Sequence, residues 1–109
     1  MELPKCSVEL TLSLVGDKWK FLIIRDLLTG TKRFSELKRS LNGISQKVLT
    51  SQLRTLEAND IVHREVFAEV PPRVEYSLTE TGQTLESVLE ALEQWGGGYR
   101  QQCVKETDN

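Results

Sequence analysis

Apolar residues recur at helical spacing through the first half of the chain. Val8, Leu12 and Val15 predict a short helix over Ser7–Val15. Gly16-Asp17 breaks it, and Asp17 is suited to cap the next helix, which is expected to run to about Leu28. In that second segment Trp19, Ile23 and Leu27 form one stripe, with Ile24 and Leu28 beside it, so the helix is expected at the centre of the core. Thr29-Gly30-Thr31 ends it. Phe34, Leu37 and Leu41 mark a third helix over Phe34–Leu41, with Ser35 as its cap, and Asn42-Gly43 is a turn signal. Ile44–Ala58 reads as a fourth helix, capped near Ser45, with Val48, Leu49, Leu53 and Leu56 inward.

The period then changes. After Asn59-Asp60, both residue types that tolerate the left-handed backbone ending a helix, Ile61–Phe67 and Arg73–Leu78 read as strands. In the second, Val74, Tyr76 and Leu78 alternate with Arg73, Glu75 and Ser77, and Pro71-Pro72 occupies the hairpin tip between the two. Thr79 is expected to cap one long final helix carrying Leu85, Val88, Leu89, Leu92, Trp95 and Tyr99. Gly96-Gly97-Gly98 should weaken or end that helix, because each glycine costs about 1 kcal/mol relative to alanine inside a helix. Residues from about 105 to 109 should fray. The order helix, helix, helix, helix, hairpin, helix is that of a winged helix-turn-helix, mainly α with a small β-hairpin (α+β).

With 109 residues the chain fits a single domain, residues 1–109, of ordinary globular composition. Its longest apolar run, Phe21–Ile24, is far too short to span a bilayer, and the N-terminus lacks the apolar segment of a secretory signal, so no membrane partner and a cytoplasmic location are expected. Cys6 and Cys103 match neither a metal knuckle nor a redox CxxC. No metal, no cofactor and no catalytic residues are expected. His63 is the single histidine and lies on a strand, and no paired-carboxylate, Ser/His/Asp or Gly-rich phosphate arrangement occurs.

Charge changes the picture. The net formal charge is −2, yet between residues 32 and 54 the bases Lys32, Arg33, Lys38, Arg39, Lys47 and Arg54 meet one acid, Glu36, a local charge of +5. From residue 80 onward six acids meet two bases, a local −4. A polyanion docks where the local charge favours it, and the first of these regions contains the fourth helix. In a helix-turn-helix the second helix lies in the major groove. The outward face of the fourth helix, from Ser45 at its start through Gln46, Lys47, Thr50 and Ser51 to Arg54, offers the chemistry required. Gln and Arg make bidentate base contacts, Ser and Thr serve bases or phosphates, and Lys suits phosphate. The alternative is an ordinary solvated helix face.

The two prolines stiffen the tip and cannot pair with another strand, so Arg73 would be ordered at small entropic cost for a phosphate or a narrow minor groove. Alternatively the prolines only protect a hairpin edge and Arg73 pairs with Glu69 or Glu75. Lys32, Arg33 and Lys38 (Arg39 beside them) could anchor backbone phosphates or could form a solvated face. The stripe of the last helix is longer than one small domain needs. With Val8 and Leu12 of the first helix, residues Leu85, Leu89, Leu92 and Trp95 would form a homodimer interface, which lets two half-sites be read at once. The rival reading of the chain is a winged-helix module that binds protein and not DNA.

The runs CSVELTLSLVGDKW, RFSELKRSLNGISQKVLTSQLRTLE and EVPPRVEYSLTETG resemble the HxlR-type winged helix-turn-helix regulators of bacteria, over nearly the whole chain from Cys6 to about Trp95. The resemblance implies a dimeric, sequence-specific transcriptional regulator of double-stranded DNA with an inverted-repeat operator, joined through its first and last helices, with the Ser45-to-Arg54 face reading bases and Arg73 as the wing contact. It also implies attention to Cys6, the position of a cysteine that in some members senses electrophiles or oxidants. Ser7 stands where the family often has proline, and Asp60 where it usually has glycine. Lys5 is adjacent to Cys6 and a helix start is close, the setting in which thiols become reactive. The alternative is an inert interface thiol. Cys103 could meet Cys6 across a dimer. The small-molecule effector, if any, is not legible.

Overall fold

The structure, a computed structural model, describes residues 2–107, with side chains to residue 104. Its elements in order are α1 (Ser7–Val15), α2 (Lys18–Leu28), β1 (Lys32–Arg33), α3 (Phe34–Ser40), α4 (Gln46–Ala58), β2 (Val62–Phe67), β3 (Arg73–Leu78), α5 (Glu80–Gln83) and α6 (Glu86–Thr107). The architecture is the mixed α+β winged helix-turn-helix that the pattern predicts, with α3 and α4 as the helix-turn-helix and β2–β3 as the wing.

Local chemistry starts most of these helices. Asp17 accepts from the Lys20 backbone N–H at 2.9 Å and so caps α2, and Ser45 accepts from Val48 N–H at 3.1 Å and caps α4. Gly43, with φ +90°, makes the turn between α3 and α4 that a side chain would strain. Asp60, with φ +59°, takes the left-handed conformation after α4. The cap of α3 differs from expectation. It is Arg33, not Ser35, and the Arg33 backbone N–H donates to Glu36 Oε1 at 2.9 Å.

Arg33 can start α3 because it already belongs to a strand. Residues 32–33 pair antiparallel with β3, Lys32 opposite Tyr76 and Arg33 opposite Glu75, which turns the expected hairpin into a three-stranded sheet of order β1-β3-β2. In the hairpin, Val62 faces Leu78, Arg64 faces Tyr76 and Phe67 faces Arg73. Alternation then sorts the strands. Val62, Arg64 and Val66 share a face with Val74, Tyr76 and Leu78, and His63, Glu65 and Phe67 share the other with Arg73, Glu75 and Ser77.

The core is a single cluster. Ile23, Ile24 and Leu27 of α2 meet Leu37 of α3 and Leu49, Leu53 and Leu56 of α4, closed by Val15, Leu41, Ile44, Ile61, Val62 and Tyr76. Val48 is a correction. It is 37% exposed, because 100° of helical rotation carries it off the stripe that Leu49 begins.

The C-terminal segment departs further from the sequence reading. Thr79 does cap a helix, accepting from Gly82 N–H at 3.0 Å, but that helix is the short α5. A tight turn at Thr84-Leu85 separates it from α6. Gly82 lies so close to Ile61 that an added Cβ would fall 2.3 Å from the Ile61 carbonyl oxygen, so this turn requires glycine for a close approach. Downstream, Gly96–Gly98 neither ends nor interrupts α6, which continues to Thr107 where fraying from residue 105 was expected. Residues 108–109 of that expectation lie outside the described residues. Trp95 and Tyr99 stack across the triplet with ring centroids 5.4 Å apart, an i,i+4 contact that offsets part of the glycines' cost. The 22-residue α6 projects from the body, giving a radius of gyration of 16.4 Å, where a compact domain of this length has about 13 Å.

Candidate nucleic-acid interface

The helix-turn-helix leaves the outer face of α4 open. Leu49, Leu53 and Leu56 fix the rotation of the helix by their burial, and that rotation carries Gln46, Lys47, Thr50, Ser51 and Arg54 onto one continuous exposed surface. All but the half-buried Thr50 are exposed. Among the described residues none of these cations lies within 4.0 Å of a carboxylate. Ser45 sits at the same end of the helix, but its hydroxyl is engaged by the cap.

Between α4 and the sheet runs an open groove of about 490 Å³. Gln46, Thr50, Arg54 and Glu57 line its helical wall, and Arg64, Val74 and Tyr76 line the strand wall, over Phe34 and Leu53. Arg64 escaped the sequence reading. The signal was the alternation of β2, since a residue two positions after the buried Val62 points to the same side of the sheet.

The other candidate bases are dispersed. Lys32 and Arg39 line a separate depression beside Asp26 and Glu36. Arg33 and Lys38 are exposed at the start and on the outer side of α3. Arg73 has the ion-paired arrangement. Its guanidinium lies 3.3 Å from Glu69 and 3.6 Å from Glu75, and 4.0 Å above the centre of the Phe67 ring.

Two further surfaces flank the helix-turn-helix. Val8 and Leu12 of α1, and Leu92, Trp95, Tyr99 and Val104 of α6, are large apolar residues left in solvent, Trp95 at 72% exposure. Of the other expected interface leucines, Leu85 packs on the core and Leu89 is half-buried. Cys6, the N-cap residue of α1, makes no capping hydrogen bond through its side chain, and the thiols of Cys6 and of Cys103 on α6 are both exposed. Among the described residues no helix is long and apolar enough to cross a membrane, and no group of three or more His, Cys, Asp or Glu residues is disposed to hold a metal ion.

Comparison with known proteins places this geometry. YybR of Bacillus subtilis strain 168, an uncharacterised HTH-type transcriptional regulator, is 50% identical over 95 residues, spanning 87% of this chain and 76% of YybR. The redox regulator HypR in its reduced form superposes with a TM-score of 0.84 at 49% identity, covering 87% of this chain and 94% of HypR. The reduced form of the transcriptional regulator YodB from B. subtilis superposes with a TM-score of 0.75 at 43% identity, covering 87% of this chain and 91% of YodB. The family model of the HxlR-like helix-turn-helix matches residues 14–104. With relatives at about half identity that are themselves HTH-type transcriptional regulators, the chain belongs to the HxlR-like helix-turn-helix family of transcriptional regulators.

Proposed function

We propose that the protein is a cytoplasmic, non-enzymatic transcriptional regulator that binds double-stranded DNA as a homodimer at an inverted repeat. The observation that carries this reading is the outer face of α4, where Lys47 and Arg54 stand among Gln46, Thr50 and Ser51 with no carboxylate partner within 4.0 Å among the described residues. Inserted in a major groove, Gln46 and Arg54 supply bidentate base contacts, Thr50 and Ser51 adaptable ones, and Lys47 a phosphate contact. Arg33 and Lys38, exposed near the start of the helix-turn-helix, supply further phosphate partners. Binding to duplex pools selected from random sequence tests the base-reading role. Arg54→Ala is expected to weaken binding and relax one base position, and an equal loss on all sequences contradicts that role.

The dimer in this proposal uses the uncovered apolar faces of α1 and α6. A thiol response at Cys6 is its second part, supported by the exposed position of Cys6 at the start of α1 and by the similarity to HypR, a redox regulator known in oxidised and reduced forms. Treating the parent and Cys6→Ser proteins with oxidant before titration tests it. The treated parent is expected to lose DNA affinity and the variant to keep it, and unchanged affinity in the treated parent sinks the idea.

A further inference from the structure

The two arginines of the wing sit on opposite faces of the hairpin and in opposite electrostatic settings. Arg73 shares the outer face with Phe67 and Glu75, and Glu65 stands directly across from Glu75. Its guanidinium is already engaged by two carboxylates and an aromatic ring, its side chain is 30% exposed, and its Nε is buried without a hydrogen-bond partner. A phosphate approaching this face meets Glu65, Glu69 and Glu75 and has to displace existing ion pairs to reach the cation.

Arg64 has the reverse arrangement. It lies opposite Tyr76 on the face that packs against the core, yet it is exposed. A long side chain rooted among apolar neighbours carries its charged head out along their edge. Here that edge is the groove whose far wall is Gln46, Thr50 and Arg54 of α4. No carboxylate lies within 4.0 Å of Arg64 among the described residues, and Glu57 is the one acid among the residues lining the groove. Two guanidiniums therefore face one groove that holds a single carboxylate, a surplus of positive charge that calls for an anion. When α4 lies in the major groove, the sugar-phosphate strand bordering that groove runs beside the helix, on the side where Arg64 stands.

We infer that Arg64 is the wing's phosphate-contacting residue and that Arg73 is an internal clamp holding the hairpin shape. The inference deepens the DNA-binding reading above and rests on it. Arg64 contributes affinity without sequence preference, since a phosphate is the same at every step. Arg73 contributes through the rigidity of the strand pair that presents Arg64.

The test is duplex binding over a range of salt concentrations with the full-length parent, Arg64→Ala, Arg64→Lys and Arg73→Ala proteins, each first checked for a folded state by circular dichroism. Arg64→Ala is expected to bind about ten-fold more weakly at low salt, equally on selected and random duplexes, with the slope of log affinity against log salt reduced by about 2, because the dimer loses one phosphate contact from each protomer. Arg64→Lys should keep the parent slope, because a point charge still neutralises the phosphate. Arg73→Ala should keep the parent slope and melt at a lower temperature. A parent-like slope in Arg64→Ala, or a slope lost in Arg73→Ala alone, overturns this inference and leaves the DNA-binding reading standing. Failure of the parent to bind any duplex at low salt removes both.

Discussion

The Thr79 hydroxyl lies 2.6 Å from the Asp60 carbonyl oxygen and 3.2 Å from that of Ile61, while the same hydroxyl oxygen accepts from the Gly82 N–H. One side chain thus ties the turn that ends α4 to the start of α5. The wing is the loop between these two fixed points, so its position relative to α4 is set at its base and not at its proline-containing tip. The tie depends on Asp60 holding φ at +59°, which allows its carbonyl to face Thr79.

Asp60→Gly relieves the left-handed strain but enlarges the unfolded ensemble, and the two effects nearly cancel, leaving a gain of about 0.5 kcal/mol or less. Asp60→Val puts a β-branched residue where it is rarely tolerated and is expected to cost about 2 kcal/mol. Thermal melting of the two variants against the parent checks the pair. A valine variant as stable as the parent would show that this turn does not hold the left-handed geometry.

Asp17 links stability to pH. Burial raises the tendency of its carboxyl to hold a proton, but hydrogen bonds from the Lys20 ammonium and backbone, the Lys20 charge and a hydrogen bond from Gln52 outweigh it, leaving the carboxyl below its ordinary 3.8. A group depressed in the folded state stabilises above its unfolded value and loses that contribution as pH falls through its folded one. Asp17→Ala is therefore expected to cost about 1 kcal/mol near neutrality through loss of the α2 cap. In urea unfolding the gap between variant and parent should narrow below pH 3.8. A gap that stays constant into acid contradicts the assignment.

Much of this architecture is legible in the sequence because burial and capping are local signals. The spacing of Leu49, Leu53 and Leu56 fixes which side of α4 faces out, and Asp17 and Ser45 are recognisable caps. What escapes is what depends on a distant partner. Two residues cannot display alternation, so β1 exists only through the pairing of Lys32 and Arg33 with β3. Nothing between Thr79 and Leu85 marks the break after α5, because the close approach of Gly82 to Ile61 joins residues far apart in the chain. The sequence leaves Arg73 poised between phosphate and Glu69 or Glu75, and only the fold brings all the engaging groups round it. Arg64 is the converse case. The strand period places it on the inner face, but its significance appears only when that face is seen to border α4.

The exposed stripe of α6 carries the dimer proposal. Leu92, Trp95 and Tyr99 are 48%, 72% and 57% exposed, so replacing them removes little from the protein's own core. A Leu92→Arg, Trp95→Ala double variant is expected to keep its circular dichroism, run as a monomer in light scattering and bind an inverted repeat about a hundred-fold more weakly, as loss of a linked second half-site implies. A double variant that remains dimeric places the interface elsewhere.

The proposed function depends above all on the α4 face reading DNA within a symmetric dimer. It is tested most directly by titrating the protein against random-sequence duplexes and duplexes taken from upstream of promoters, at two salt concentrations, with the protein-to-DNA stoichiometry determined. Two protomers per site, a preference for an inverted repeat and affinity that falls steeply with salt as condensed counterions are released are the expected result. A folded dimer that binds no duplex at low salt, with reduced thiols, would contradict it and leave the protein-binding module as the reading of the fold.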